Sequence, residues 1–145
     1  MDTIVTQHND LVKTIVLQKN TKKIDKVISN LETHVGKTWY VFSGASPMGW
    51  DCSGMTMWAY SLVGIPLEHR ASIQQHSGKS VKTPKRGDLV LFTYKVNKSA
   101  YHVGIYLSPD KMIVVVVGDK ASNFEKIKKL GYEVVELDLN GKTVN

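Results

Sequence analysis

The sequence predicts an α+β fold in which N-terminal helices pack on one side of a small antiparallel sheet. Three observations carry this. Ile24, Val27, Ile28 and Leu31 recur at i, i+3, i+4 and i+7, with Lys, Asp, Asn and Glu between them, the pattern of an amphipathic helix. Cys52, Met55, Thr56, Ala59 and Val63 repeat that spacing directly after Asp51, a good N-cap type. Beyond them the chain turns to short apolar or alternating runs separated by turn residues, which is how strands of one sheet read.

The elements follow in order. Lys13 to Gln18 reads as a short strand or one helical turn. Residues 21–35 form the first amphipathic helix, with Thr21 able to cap it, Gly36 to close it and His34 placed to meet the helix dipole. Trp39-Tyr40-Val41-Phe42 leads into a loop, Ser43 to Gly49, whose two glycines and one proline permit a tight path towards Cys52. The Cys52 helix runs to about Val63 and stops at Gly64. A short helix is expected at Ser72–His76, and a turn at Thr83–Asp88. Leu89–Tyr94 reads as a central strand and Tyr101–Leu107 as the next, with Val103, Ile105 and Leu107 on one face and His102, Gly104 and Tyr106 on the other. Met112–Val117 is a third strand, Asn123–Leu130 a short helix, and Glu133–Leu139 a last strand, together an antiparallel meander.

A chain of 145 residues, 42% hydrophobic and 22% charged, fits one soluble domain spanning 1–145. One cysteine excludes an intrachain disulfide and a Cys-rich zinc site. Lys+Arg 19 against Asp+Glu 13 gives +6, which suits an acidic partner such as a wall polymer. The basic residues do not interleave with aromatics, and Lys19, Lys22, Lys23 and Lys26 read as a solvated helix face, so nucleic acid is not the expected partner. No apolar run is long enough to cross a membrane, and Met1-Asp2-Thr3 lacks the basic-then-apolar pattern of a signal peptide.

A lone cysteine is ordinarily a small packing residue. Cys52 differs in its place at a helix start, where unpaired N–H groups and the positive dipole end favour thiolate. A thiol nucleophile needs a base, and histidine is the natural one. His8, His34, His69 and His76 fall near helix ends or loops; His102 alone stands early on an expected central strand, with Gly104 two residues along leaving room for a close approach.

The run Trp39-Tyr40-Val41-Phe42-Ser43-Gly44, then Asp51-Cys52-Ser53-Gly54, Gly64-Ile65-Pro66-Leu67, Arg70 to Gln75, Arg86-Gly87-Asp88-Leu89-Val90-Leu91-Phe92 and His102-Val103-Gly104-Ile105-Tyr106-Leu107 resembles the NlpC family of papain-like cell-wall peptidases, over roughly residues 38–113. The resemblance implies a papain-like domain in which Cys52 is the nucleophile and His102 the general base. The implied substrate is the peptide stem of peptidoglycan, often cut between D-glutamate and a diamino acid through an acyl-enzyme. Tyr40 would stand near the oxyanion, while Asp51 and Ser53 would line the groove and hold the free amine of a stem. Arg70 and Gln75 match a stretch that is usually structural. No metal or cofactor is implied. The family's third polar residue would fall at Val114, which cannot orient an imidazole. Either a Cys–His dyad suffices, or a backbone carbonyl or Asp119 orients the ring, or the site is impaired, and reduced catalysis is expected rather than none. A chain without a leader would reach the wall by phage delivery, as a tail component among other tail proteins or a lysin freed at lysis, or by a dedicated secretion system. The competing expectation is a non-catalytic binding or structural module of the same fold. Acyl transfer on another amide is a third.

Overall fold

A computed structural model of the chain describes residues 20–115 and 131–139. Helix α1 covers 20–32 and buries the predicted stripe, with Val27, Ile28 and Leu31 in the core. Turns follow, and Gly36 takes a positive φ of 77°. The His34 ring stands edge-on to Trp50 at 5.9 Å and Trp58 at 5.5 Å, fastening the end of α1 to the elements that follow.

The segment expected to be a plain loop folds into a two-stranded hairpin, β1 (Ala45–Ser46) with β2 (Gly49–Trp50). It leads into α2 (Cys52–Ser61), whose buried face is Met55, Thr56, Ala59 and Tyr60, and which closes through Gly64 at φ 78°. The hairpin lies directly on the first turn of α2. A Cβ on Gly54 would stand 1.9 Å from the Gly44 carbonyl oxygen, so only glycine permits this crossing. The short helix α3 (Ala71–Gln74) comes one residue early and is shorter than expected.

One five-stranded sheet carries the rest: β3 (Lys79–Val81), β4 (Leu89–Thr93), β5 (Ala100–Ser108), β6 (Lys111–Val114) and β7 (Tyr132–Glu136), in the order β3-β7-β4-β5-β6, all pairs antiparallel. The expected meander holds for β4, β5 and β6. The last strand corrects it, because β7 returns to the middle and pairs with both β3 and β4. The reason is apolar: Val134 and Val135 are both buried, and a central place covers both faces. The expected helix at Asn123–Leu130, residues 116–117 of the third strand and the segment Lys13–Gln18 lie outside the described residues. Alternation from Val103 to Tyr106 is as expected, whereas a bulge at Tyr101, between the His102 and Ala100 pairs, interrupts it at the strand's start. Val103 and Ile105 face the main core with α1 and α2, while Tyr106 joins Val90, Phe92 and Met112 on the other side. Among the described residues no helix is long and apolar enough to cross a membrane.

One buried carboxyl sits behind the sheet. Asp88 is buried, its Oδ2 accepting from the Lys85 amide at 2.8 Å, beside Tyr60, whose hydroxyl donates to the Gly87 carbonyl. Gly87 runs at φ 97°, and Ile24 of α1 packs where a Cβ would be. Burial pushes the Asp88 pKa up from 3.8 to about 6; the Lys85 amide opposes this and the Glu136 charge adds to it. A carboxyl whose folded value is raised binds more protons folded than unfolded between those two values, so stability falls as pH rises through that window. Asp88→Asn, which keeps an oxygen for the Lys85 amide, is expected to raise stability by about 1–3 kcal/mol at pH 7.5. The gain should vanish below about pH 4. Urea midpoints of the two proteins across that range check it, and a pH-independent difference would refute the carboxyl as its source.

Candidate active site

Cys52 is the first residue of α2, and Asp51 is its N-cap in extended conformation. The Asp51 carboxylate does more than cap. Oδ1 accepts from the Gly54 amide at 2.7 Å and from His69 Nε2 at 2.8 Å, and the Ser53 hydroxyl lies 3.5 Å from it. Oδ2 accepts from the Ser43 amide at 3.1 Å. One carboxylate thus ties together the hairpin, the helix start and the loop before α3. A cap of this kind is worth about 1 kcal/mol on its own.

Behind it lies a fully buried amide. Gln74 donates from Nε2 to the carbonyls of Ser53 at 3.0 Å and Glu68 at 2.6 Å, and accepts the Thr56 hydroxyl at 2.6 Å. The next side chain, Gln75, braces in the same way, spanning Lys98, Glu133 and Ala100. Both glutamines serve architecture, as the resemblance implied for Gln75.

The free thiol of Cys52 is half-buried. Strand β6 reaches only to Val114, opposite Gly104. The next amide of β5 on that side, Val103, hydrogen-bonds to the Cys52 sulfur. The start of α2 therefore meets β5 where its neighbour strand ends, one residue from His102. Burial pushes the thiol above its ordinary value of 9.0; the Val103 amide opposes that, and the Asp51 charge adds to it. The expected thiolate preference of the helix start is thus outweighed in the ligand-free chain, and the sulfur needs a base. Half-maximal reaction with iodoacetamide is expected at a pH above that of a free thiol. Asp51→Asn, which still caps the helix, should move it down. An unchanged profile would show that the Asp51 charge does not reach the sulfur.

His102 is half-buried on β5, opposite Phe92, and its ring meets the Phe92 ring edge-on at 5.0 Å. Val114 is on the same sheet face, one pair along, packed with Val90, Phe92, Tyr106 and Met112. The room expected over Gly104 is filled by Met112, whose Cε lies 2.3 Å from where a Cβ would stand. Asp119 falls outside the described residues.

Tyr40 bridges to Trp50, two residues before Cys52, through the amides of Trp50 and Val41 and the carbonyls of Trp39 and Trp50, both at 3.2 Å. Its side chain is 45% exposed. Tyr40 and Val114 line one cleft of about 1070 Å³, with Trp50, Met55 and Met112 among its walls. Ser53 is buried, with its carbonyl held by Gln74. The structure thus gathers Asp51, Cys52 and Ser53 at one helix start, Tyr40 bridged to the last residue of the adjoining hairpin, and His102 beside the Val103 amide that meets the sulfur. Sequence reasoning missed His69. It lies 18 residues from Asp51 in an irregular stretch, where no periodicity links the two.

The NlpC/P60 family model matches residues 36–133. The probable endopeptidase Rv2190c of Mycobacterium tuberculosis is 36% identical over 89 residues, covering 60% of this chain and 22% of that protein. The chain therefore spans about a fifth of such a relative's length. A Staphylococcus aureus protein of the NLP/P60 family, described as similar to lipoprotein, superposes with TM-score 0.67 at 25% identity, over 81% of this chain and 42% of its own. The NlpC/p60 domain of the peptidoglycan hydrolase SagA gives TM-score 0.65 at 25% identity, over 78% and 98%.

Proposed function

Because the chain belongs to the NlpC/P60 family, we propose that it is a cysteine endopeptidase hydrolysing the peptide stems of bacterial peptidoglycan, with Cys52 as nucleophile and His102 as general base. The observation that carries this reading is the position of the sulfur at the start of α2, against the amide of the residue that follows His102.

The reaction runs in two halves. The His102 imidazole takes the thiol proton, and the sulfur attacks the scissile carbonyl. Negative charge then develops on the carbonyl oxygen near the Cys52 and Ser53 amides at the start of α2 and the half-exposed Tyr40 side chain, which offer donors of the right kind. The C–N bond breaks, and the imidazolium gives its proton to the departing amine, leaving a thioester on Cys52. Water, deprotonated by the imidazole, attacks that thioester. The acid leaves and the thiol is restored. The Asp51 carboxylate and the neighbouring Ser53 are proposed to face the amine-bearing end of the stem, with His69 sharing the carboxylate.

A second reading, a wall-binding module without turnover, is favoured by the apolar Val114, packed with Val90, Phe92, Tyr106 and Met112 where the resemblance implies a polar residue. Incubation with muropeptides, read by mass spectrometry beside a Cys52→Ala control, separates the two. Stems cut by the wild type alone support the hydrolase. A wild type that cuts nothing, yet sediments with insoluble peptidoglycan, gives the binding module.

A further inference from the structure

Asp51 meets two demands that oppose each other. Its carboxylate fastens the hairpin segment to the first turn of α2, through the Ser43 and Gly54 amides at 3.1 and 2.7 Å. The same negative charge stands one residue from the sulfur, where it disfavours the thiolate. His69 bears on both. Its Nε2 lies 2.8 Å from Oδ1, and because an ionised carboxylate only accepts, the ring nitrogen is the donor.

The backbone sets this pair from both sides. The chain leaves α2 through Gly64, and the Ile65 amide turns back onto the Tyr60 carbonyl at 3.0 Å. Leu67 is buried in the core. Gln74 Nε2 then holds the Glu68 carbonyl, and the Arg70 carbonyl accepts the Ile73 and Gln74 amides at 3.1 and 2.9 Å. His69 is thus pinned through its neighbour on either side. The amide that holds Glu68 also holds Ser53, so one side chain fixes the loop of the imidazole against the helix of the carboxylate. The side chains of His69 and Asp51 are only 27% and 18% exposed. Pairs of long, free surface side chains contribute little, because ordering them costs entropy and water screens them. This pair has short side chains, partial burial and a prearranged backbone.

We infer that His69 is a positioning residue for Cys52: its N–H holds the Asp51 carboxylate in its capping place and offsets the negative charge that the sulfur would otherwise face. The inference rests on Cys52 being the nucleophile of the proposed hydrolase, and its first test needs no cleavage of a stem.

That test is alkylation of the full chain with iodoacetamide across pH. His69→Ala should raise the pH of half-maximal reaction by about half a unit, so that Cys52 reacts about threefold more slowly near neutrality. His69→Gln, whose amide can donate to Oδ1, should restore most of the wild-type profile. In the Asp51→Asn background, where the charge is gone, His69→Ala should move the midpoint by less than about 0.2. Thermal melts verify folding, and His69→Phe, which fills the space without a donor, replaces an alanine variant that melts early. An unchanged midpoint in the folded variant overturns the inference, as does the same rise with and without the Asp51 charge. On stems, kcat should fall about threefold at constant KM. A rise in KM alone would make His69 a substrate contact and overturn its positioning role. If the wild type cuts no stem, the hydrolase reading has failed, and the alkylation series alone decides what His69 does to the sulfur.

Discussion

Cys52→Ala is expected to lower the rate of stem cleavage by about 10⁴-fold or more, and His102→Ala by a similar factor. The reason is that neither group works alone. Burial and the Asp51 charge hold the sulfur protonated, so without the imidazole the nucleophile is scarce. Without the sulfur, the imidazole can activate only water. The double variant Cys52→Ala/His102→Ala should be no slower than either single one, because groups acting as a unit lose their whole contribution at the first deletion. Initial rates on a purified muropeptide, with circular dichroism to verify folding, measure this. Losses that multiply in the double variant would show that the two side chains act independently, and the proposed nucleophile–base pair would be abandoned.

Gln74→Leu should produce the largest loss of stability among single side-chain changes near the site, about 3 kcal/mol. The volume is nearly conserved, so the effect isolates hydrogen bonding. Gln74 is 0% exposed, and the change removes one partner each from the Ser53 and Glu68 carbonyls and the Thr56 hydroxyl at once, leaving Thr56 and Ser53 the 3.0 Å bond they share. Leaving buried polar groups without partners costs more than the bonds contribute when made. The urea midpoint should fall by about 1.5 M. Because the amide braces the first turn of α2, Cys52 should also react faster with iodoacetamide below the unfolding transition. A variant within about 0.5 kcal/mol of the wild type would mean that water replaces the amide, and the bracing role would be lost.

What the sequence announced, and what it concealed, divides along physical lines. Helices α1 and α2 and strand β5 were legible because each buries a periodic apolar face, Val27, Ile28 and Leu31 at helical spacing and Val103 and Ile105 at strand spacing, while β4 and β6 were legible as unbroken apolar runs, Leu89–Phe92 and Met112–Val114. Strand β3 was not, because Lys79-Ser80-Val81 is a largely exposed edge with nothing apolar to repeat. The β1–β2 hairpin hid inside a stretch rich in turn residues, and its register depends on contacts with the first turn of α2 that no local pattern encodes. The candidate site was legible as far as a helix-start cysteine and a strand histidine. The grip of His69 on Asp51 was invisible, since it arises where two irregular segments happen to meet. The bulge at Tyr101 was invisible for a different reason: one inserted residue inverts which way a strand's side chains face, and it leaves no mark in an alternating run.

The position of β7 sets a timetable for the nascent chain. Its five residues are the penultimate layer of the sheet, yet they are translated after every strand they separate. Until Tyr132–Glu136 leaves the ribosome, β3 has no neighbour and β4 has an open edge, its amides and carbonyls bare to any other polypeptide nearby. Synthesis stalled upstream of that point should therefore yield a sticky, protease-sensitive intermediate, and the sheet beside the nucleophile would close only once that strand has emerged.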